Sequence, residues 1–169
     1  MTTARPSITL FVYGTLKRGQ RHHDRFCRSA KDMRPAIIVG CVYQSPSGFA
    51  ALGIPGEAIL AEGTSDPLAD ASTQAHSVGR GLAMPDPAGD WDIVQGDLLA
   101  FLAPFATYLP RDRFEGFRLD EHGHCHRALE AVRASTGLEV AWVYQLAPVA
   151  HGRRVHGGRW PTKVTGGLP

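Results

Sequence analysis

Short apolar runs separated by glycine and proline set the pattern of this chain. Ile8-Thr9-Leu10-Phe11-Val12-Tyr13 is rich in β-branched and aromatic residues and stops at Gly14, so it reads as a buried strand. Pro35 to Tyr43 reads as a second strand, with Gly40 marking a bulge or the close approach of another backbone. Trp91 to Leu99 reads as a third, kinked at its glycine. Arg127 to Ala134 and Leu138 to Gln145 flank Ser135-Thr136-Gly137 and predict a β-hairpin. A short strand is expected over Glu57 to Leu60. Helical signals are few: His22 to Ala30 with a thin apolar face, Phe105 to Leu109 between two prolines, and one turn over Arg111 to Phe114 that ends at Gly116. Ser45 to Pro55 reads as loop, and the stretch from Pro148 as a surface wrap or a frayed end.

Strands this far apart in sequence must pair to build one sheet. A mostly β barrel with peripheral helices is the simplest arrangement that leaves no open edges. The stretch from Ala61 to Asp90 differs from its surroundings. It is dominated by Ala, Gly, Ser, Thr, Asp and Pro, and reads as a surface insertion with a turn or two of its own.

Composition narrows the picture. With 169 residues, one domain over 7–160 with a tail at 161–169 is expected. A hydrophobic fraction of 43% with 20% charged residues fits a globular chain rather than a disordered one. The formal charge of +2, with the basic residues dispersed, argues against nucleic acid or an anionic membrane as partner. The 3 cysteines are odd in number and widely spaced, without a CxxC pair, so a reducing compartment and a cytoplasmic location are expected. No apolar stretch approaches the roughly 20 residues of a membrane-spanning helix.

Three local features carry candidate chemistry. The first is Tyr13-Gly14-Thr15-Leu16-Lys17-Arg18-Gly19. A glycine directly after a buried strand lets the chain turn sharply, and successive backbone N–H groups in such a loop can cradle a carboxylate or phosphate. The pattern is neither a Walker loop nor GxGxxG, and a purely structural turn is the other reading. The second is Glu115 between Phe114 and Phe117. Apolar neighbours desolvate a carboxylate, raise its pKa and suit it to proton transfer near neutral pH; a solvated acid before a helix-ending glycine is the alternative. The third is His122-Gly123-His124-Cys125-His126. Adjacent residues of an extended chain point to opposite faces, and zinc sites draw ligand pairs from separate segments, so loop histidines without a metal are expected.

The matches extend beyond these features. Phe11 to Gly19 resembles the YGTLxxG signature of the γ-glutamylcyclotransferase-like family. Gly48-Phe49-Ala50-Ala51-Leu52 is similar to its YPAL segment, Val94 to Leu98 to its VxGELY strand, and Glu115-Gly116 to its acidic-Gly pair. Ala141-Trp142-Val143-Tyr144 resembles its AWVY strand, and Gly158-Arg159-Trp160 its closing G-x-W. The order is kept from Ile8 to Trp160. The resemblance implies an α+β fold, a small mixed β-barrel of five to seven strands with short flanking helices. It implies an enzyme that needs no cofactor or metal and takes a small-molecule γ-glutamyl substrate. Tyr13, Gly14, Thr15 and Leu16 would cradle the α-carboxylate, and Glu115 would act as general base and then acid. The product would be 5-oxoproline with a free amine or amino acid. Where the family carries a tyrosine closely followed by arginine, this chain has Cys125-His126-Arg127, so His126 is the candidate substitute at the substrate. A non-catalytic or divergent small-acid-binding module on the same fold is the competing reading. The insertion and the tail are the candidate surfaces for a homodimer.

Overall fold

The computed structural model describes residues 5–46, 48–104, 106–108, 111, 125–146 and 152–161. In it the apolar runs become β1 (Ile8–Val12), β2 (Asp32–Gln44), β3 (Ala50–Gly53), β4 (Ile59–Glu62), β5 (Asp92–Phe101), β6 (Cys125–Ala134), β7 (Gly137–Leu146) and β8 (Arg153–Val155). Two helices, α1 (His23–Cys27) and α2 (Pro67–Ser77), join them, with further helical residues at 104, 106–108 and 111.

The strands follow the order β3-β2-β5-β1-β7-β6-β4, with β8 beside β2. β2 also meets β6 at Ala36↔Ala134 and Ile37↔Arg133. That contact closes β2, β5, β1, β7 and β6 into a five-stranded barrel. The β1–β7 seam is parallel and the other seams are antiparallel, so the barrel is mixed. The α+β class and the small mixed barrel expected from the sequence are what the chain forms. β3, β4 and β8 extend the closed set.

Alternation along the strands divides the apolar residues between two faces. Phe11, Ile38, Val94, Val132 and Val143 pack together on the inner face. Leu10, Leu99, Leu129 and Trp142 pack on the outer face, beneath Ala71 of α2, Cys27 of α1 and Tyr108. Trp142 is fully buried there. Gly40 has the close approach that its place in a strand suggests: a Cβ at this position would lie 2.8 Å from the carbonyl oxygen of Gly53 on β3.

Four stretches differ from the sequence reading. Ser45 to Pro55 is not all loop, because Ala50–Gly53 pairs with Cys41–Gln44 of β2. The stretch after Pro148 contains β8, which pairs with the same end of β2. β2 itself runs from Asp32, earlier than expected, since its first residues pair with β5 as far as Ala100. The segment 61–90 carries α2, whose Asp70, Ala71 and Gln74 are buried. The helix begins at a favourable start: the Asp66 carboxylate accepts from the Leu68 N–H, and Pro67 takes the first helical turn.

α2 is fastened to the barrel by polar contacts as well as by Ala71. Arg127 of β6 donates from Nη2 to Asp70 Oδ2 at 2.8 Å, and both side chains are buried. Asp70 Oδ1 accepts from the Thr64 N–H and hydroxyl at 3.0 and 2.8 Å. The Arg127 guanidinium lies 3.9 Å from the centre of the Tyr108 ring. Gln74 closes the far side, accepting from the Thr9 N–H of β1 at 2.9 Å.

Candidate functional site

The loop after β1 turns sharply because Gly14 sits under β3. A Cβ at Gly14 would lie 3.0 Å from the Cβ of Ala50. Beyond Gly14 the chain folds back on itself. The Lys17 N–H donates to Gly14 O at 3.1 Å, and the His22 N–H to Thr15 O at 3.1 Å. His23 Nδ1 donates to Leu16 O at 2.7 Å from the buried face of α1. The carbonyls of Gly14, Thr15 and Leu16 are therefore engaged. The amides of the same three residues donate to no described residue.

The loop is tied down on its far side too. The Arg18 N–H donates to Asp97 Oδ2 at 2.8 Å, and the Lys17 ammonium donates to the carbonyl of Trp160. Burial pushes the Lys17 pKa below its ordinary value, with Arg159 adding to the effect and Asp97 opposing it. Lys17, Arg18 and Arg159 share a shallow polar pocket with Asp97 and Gln95.

On its near side the loop walls a larger cavity of about 300 Å³. Tyr13, Gly14, Thr15 and Leu16 all line it, together with Phe11 and Val12 of β1, Arg21 and His22 before α1, Phe49 and Ala50 at β3, and Tyr144 and Leu146 of β7. Tyr13 and Tyr144 are joined: the Tyr13 hydroxyl donates to the Tyr144 carbonyl at 2.8 Å. The walls are largely apolar, and the polar side chains among the lining residues are those of Tyr13, Thr15, Arg21, His22 and Tyr144. Such a cavity, apolar with a few convergent polar groups, is the usual form of a small-molecule site.

The sequence-derived site residues fall into three places. Tyr13, Gly14, Thr15 and Leu16 meet around one cavity. His126 lies exposed on β6, opposite Gln145, and is not among the lining residues. Glu115, with the histidines at 122 and 124, lies outside the described residues. Among the described residues no group of three or more His, Cys, Asp or Glu could hold a metal ion. Arg21, His22, Tyr144 and Leu146 were not legible as site residues. Tyr144 and Leu146 reach the cavity from β7, whose pairing the sequence does not state, although AWVY carried Tyr144 as a strand residue, and Arg21 and His22 reach it through the turn closed by the His22 N–H on Thr15 O.

Comparison with known proteins points the same way as the loop. Residues 10–75 match the family model described as Gamma-glutamyl cyclotransferase, AIG2-like. The family resemblance holds over these residues. They include the whole YGTL loop, the Phe49–Ala50 wall and most of α2. Among solved structures, the chain is similar to YkqA from Bacillus subtilis, with a TM-score of 0.55 at 16% identity over 91% of this chain and 39% of that one. The chain thus spans about two fifths of the length of that protein, and the likeness is one of fold. An AIG2-like protein from Mus musculus gives a TM-score of 0.47 at 18% identity, covering 86% of this chain and 80% of that one. An uncharacterized protein from Pyrococcus horikoshii gives 0.47 at 15% identity, covering 90% and 88%. No curated protein sequence matches the chain. No helix among the described residues is long and apolar enough to cross a membrane.

Proposed function

We propose that this chain is a γ-glutamyl cyclotransferase, releasing 5-oxoproline and a free amine or amino acid from a γ-glutamyl compound. The observation that carries the reading is the meeting of Tyr13, Gly14, Thr15 and Leu16 around one cavity, with three successive amides that donate to no described residue. Successive backbone N–H groups form a concavity suited to a carboxylate, and the α-carboxylate of a γ-glutamyl group is the ligand proposed for it. The match of residues 10–75 to the AIG2-like family supports the same assignment.

The chemistry asks little of the protein. In the substrate the α-amine and the γ-carbonyl belong to one molecule, and holding them in a near-attack arrangement supplies an effective concentration of about 10⁵–10⁸ M. No protein nucleophile is needed. The α-ammonium must lose a proton before it attacks, and the departing nitrogen must gain one. Glu115 is proposed to do both in turn, its carboxyl adjusted by Phe114 and Phe117. The buried Tyr13–Tyr144 bond would keep the cradle in register with β7. The 3 cysteines, all buried and not bridged to one another, fit the proposed cytoplasmic setting.

The test is the loss of turnover in Glu115→Gln. The amide keeps the shape and removes the base, so kcat is expected to fall by about 10²–10⁴-fold with the fold intact. A variant as active as the parent would remove Glu115 from the mechanism.

A further inference from the structure

Resting on that cyclotransferase reading, we propose that the site selects as leaving group an apolar α-amino acid, whose side chain packs on Phe49 and whose carboxylate meets Arg21. The loop amides are reserved for the γ-glutamyl half. The departing half must then meet the other walls of the cavity, and two of these have a definite chemical character.

Phe49 remains 40% exposed although it is large and apolar, and it lines the cavity. It is not carried on a slack segment. The Ser45 N–H donates to Phe49 O at 2.9 Å, and the Phe49 N–H donates to Ser45 Oγ at 3.2 Å. An exposed apolar ring carried on a hydrogen-bonded backbone gains from an apolar ligand that covers it. Leu146 and Tyr144 supply more apolar surface in the same cavity.

Arg21 is exposed and lines the same cavity. Arginine is always charged and offers a planar fork that fits a carboxylate. A leaving group bearing a second ammonium, such as a lysine joined through its side chain, would meet a like charge here. An α-amino acid carries its side chain and its carboxylate on the carbon next to the scissile nitrogen, which suits a wall with an aromatic ring and a guanidinium.

The step balances without a co-reactant. The α-nitrogen forms a bond to the γ-carbon, the bond from that carbon to the amino acid nitrogen breaks, and one proton passes from the attacking to the departing nitrogen.

The experiment compares kcat/KM for γ-glutamyl-phenylalanine, γ-glutamyl-alanine, γ-glutamyl-phenethylamine and Nε-γ-glutamyl-lysine. It is run on the full chain and on Phe49→Ala, Phe49→Leu and Arg21→Ala. Folding of each variant is checked by its thermal transition. Phenylalanine is expected to exceed alanine as leaving group by tenfold or more, roughly the discrimination an apolar pocket gives. It is expected to exceed phenethylamine, which lacks the carboxylate, by about fivefold, since Arg21 is solvent-exposed. Phe49→Ala should collapse the first ratio and spare the second, Arg21→Ala should do the reverse, and Phe49→Leu should keep most of the first. Product from every substrate with alanine or lysine preferred overturns the inference and leaves the cyclotransferase reading standing. No product from any substrate by folded protein overturns both.

Discussion

The Tyr13 hydroxyl donates a buried 2.8 Å hydrogen bond to the carbonyl of Tyr144, joining the loop after β1 to β7 across the chain. The two strands are parallel neighbours through Leu10↔Trp142 and Phe11↔Val143, so the bond continues their pairing past the end of β1. Tyr13→Phe keeps the ring and removes the donor to a buried carbonyl. A loss of about 1–2 kcal/mol in unfolding free energy is expected by urea titration. KM for a γ-glutamyl substrate should rise as well, because the amides of Gly14 to Leu16 follow directly in the chain.

Gly14→Ala tests the contact beneath β3. The added Cβ would meet the Ala50 Cβ at 3.0 Å, so either the loop or β3 must shift by a few tenths of an ångström. Misplacing the cradle should lower kcat/KM about tenfold or more. Ala50→Gly removes the opposing atom, and the double variant should recover a large part of the loss. Absence of recovery in steady-state kinetics would move the cause away from this contact.

The Asp70–Arg127 pair joins α2 to β6 in a fully buried setting. Removing Asp70 takes from the buried Arg127 guanidinium the carboxylate that α2 supplies. Asp70→Ala should cost about 3–5 kcal/mol in chemical denaturation. Replacing both, as Asp70→Leu with Arg127→Met, should cost much less than the single change. Equal losses in the single and double variants would contradict a pair that acts as a unit.

Glu130 supplies a pH dependence of stability. It lies on β6 between Ile59 of β4 and Ala141 of β7, in register with both, and it is almost completely buried. Burial alone raises its pKa well above the ordinary carboxyl value of 4.5, and its Oε1 has no hydrogen-bond partner among the described residues. Above the unfolded pKa the native state binds more protons than the unfolded chain, so the stabilising difference present below that pKa is lost as pH rises towards the raised folded value. Glu130→Gln should remove that decline. Its gain over the parent protein should be small near pH 4.5 and larger near pH 8, as read from melting curves across pH.

Most strands were legible, including the short β4 that the stretch Glu57 to Leu60 announces in part, but β3 and β8 were not. β1, β5 and the β6–β7 hairpin are dense apolar runs with glycine stops, and such runs bury themselves in almost any sheet. β3 and β8 have four and three residues, and what makes them strands is the far end of β2 lying between them. α2 is short of large apolar residues, so its periodicity was faint, but Asp66-Pro67 was a helix start that could have been read. At the site, the glycine-stopped loop exposed Tyr13 to Leu16 in the sequence. Phe49 and Leu146 join them through β-pairings between distant segments, which local patterns do not encode, and Arg21 through the turn that the His22 N–H closes on Thr15 O.

The most direct measurement is the identity of the product. The full-length protein is incubated with the γ-glutamyl substrates, and the acidic product is separated by chromatography. The account predicts 5-oxoproline in equal amount to the released amine, with no glutamate, because the internal amine is the nucleophile. Glutamate as the released acid, or no release from folded protein, would contradict the cyclotransferase reading.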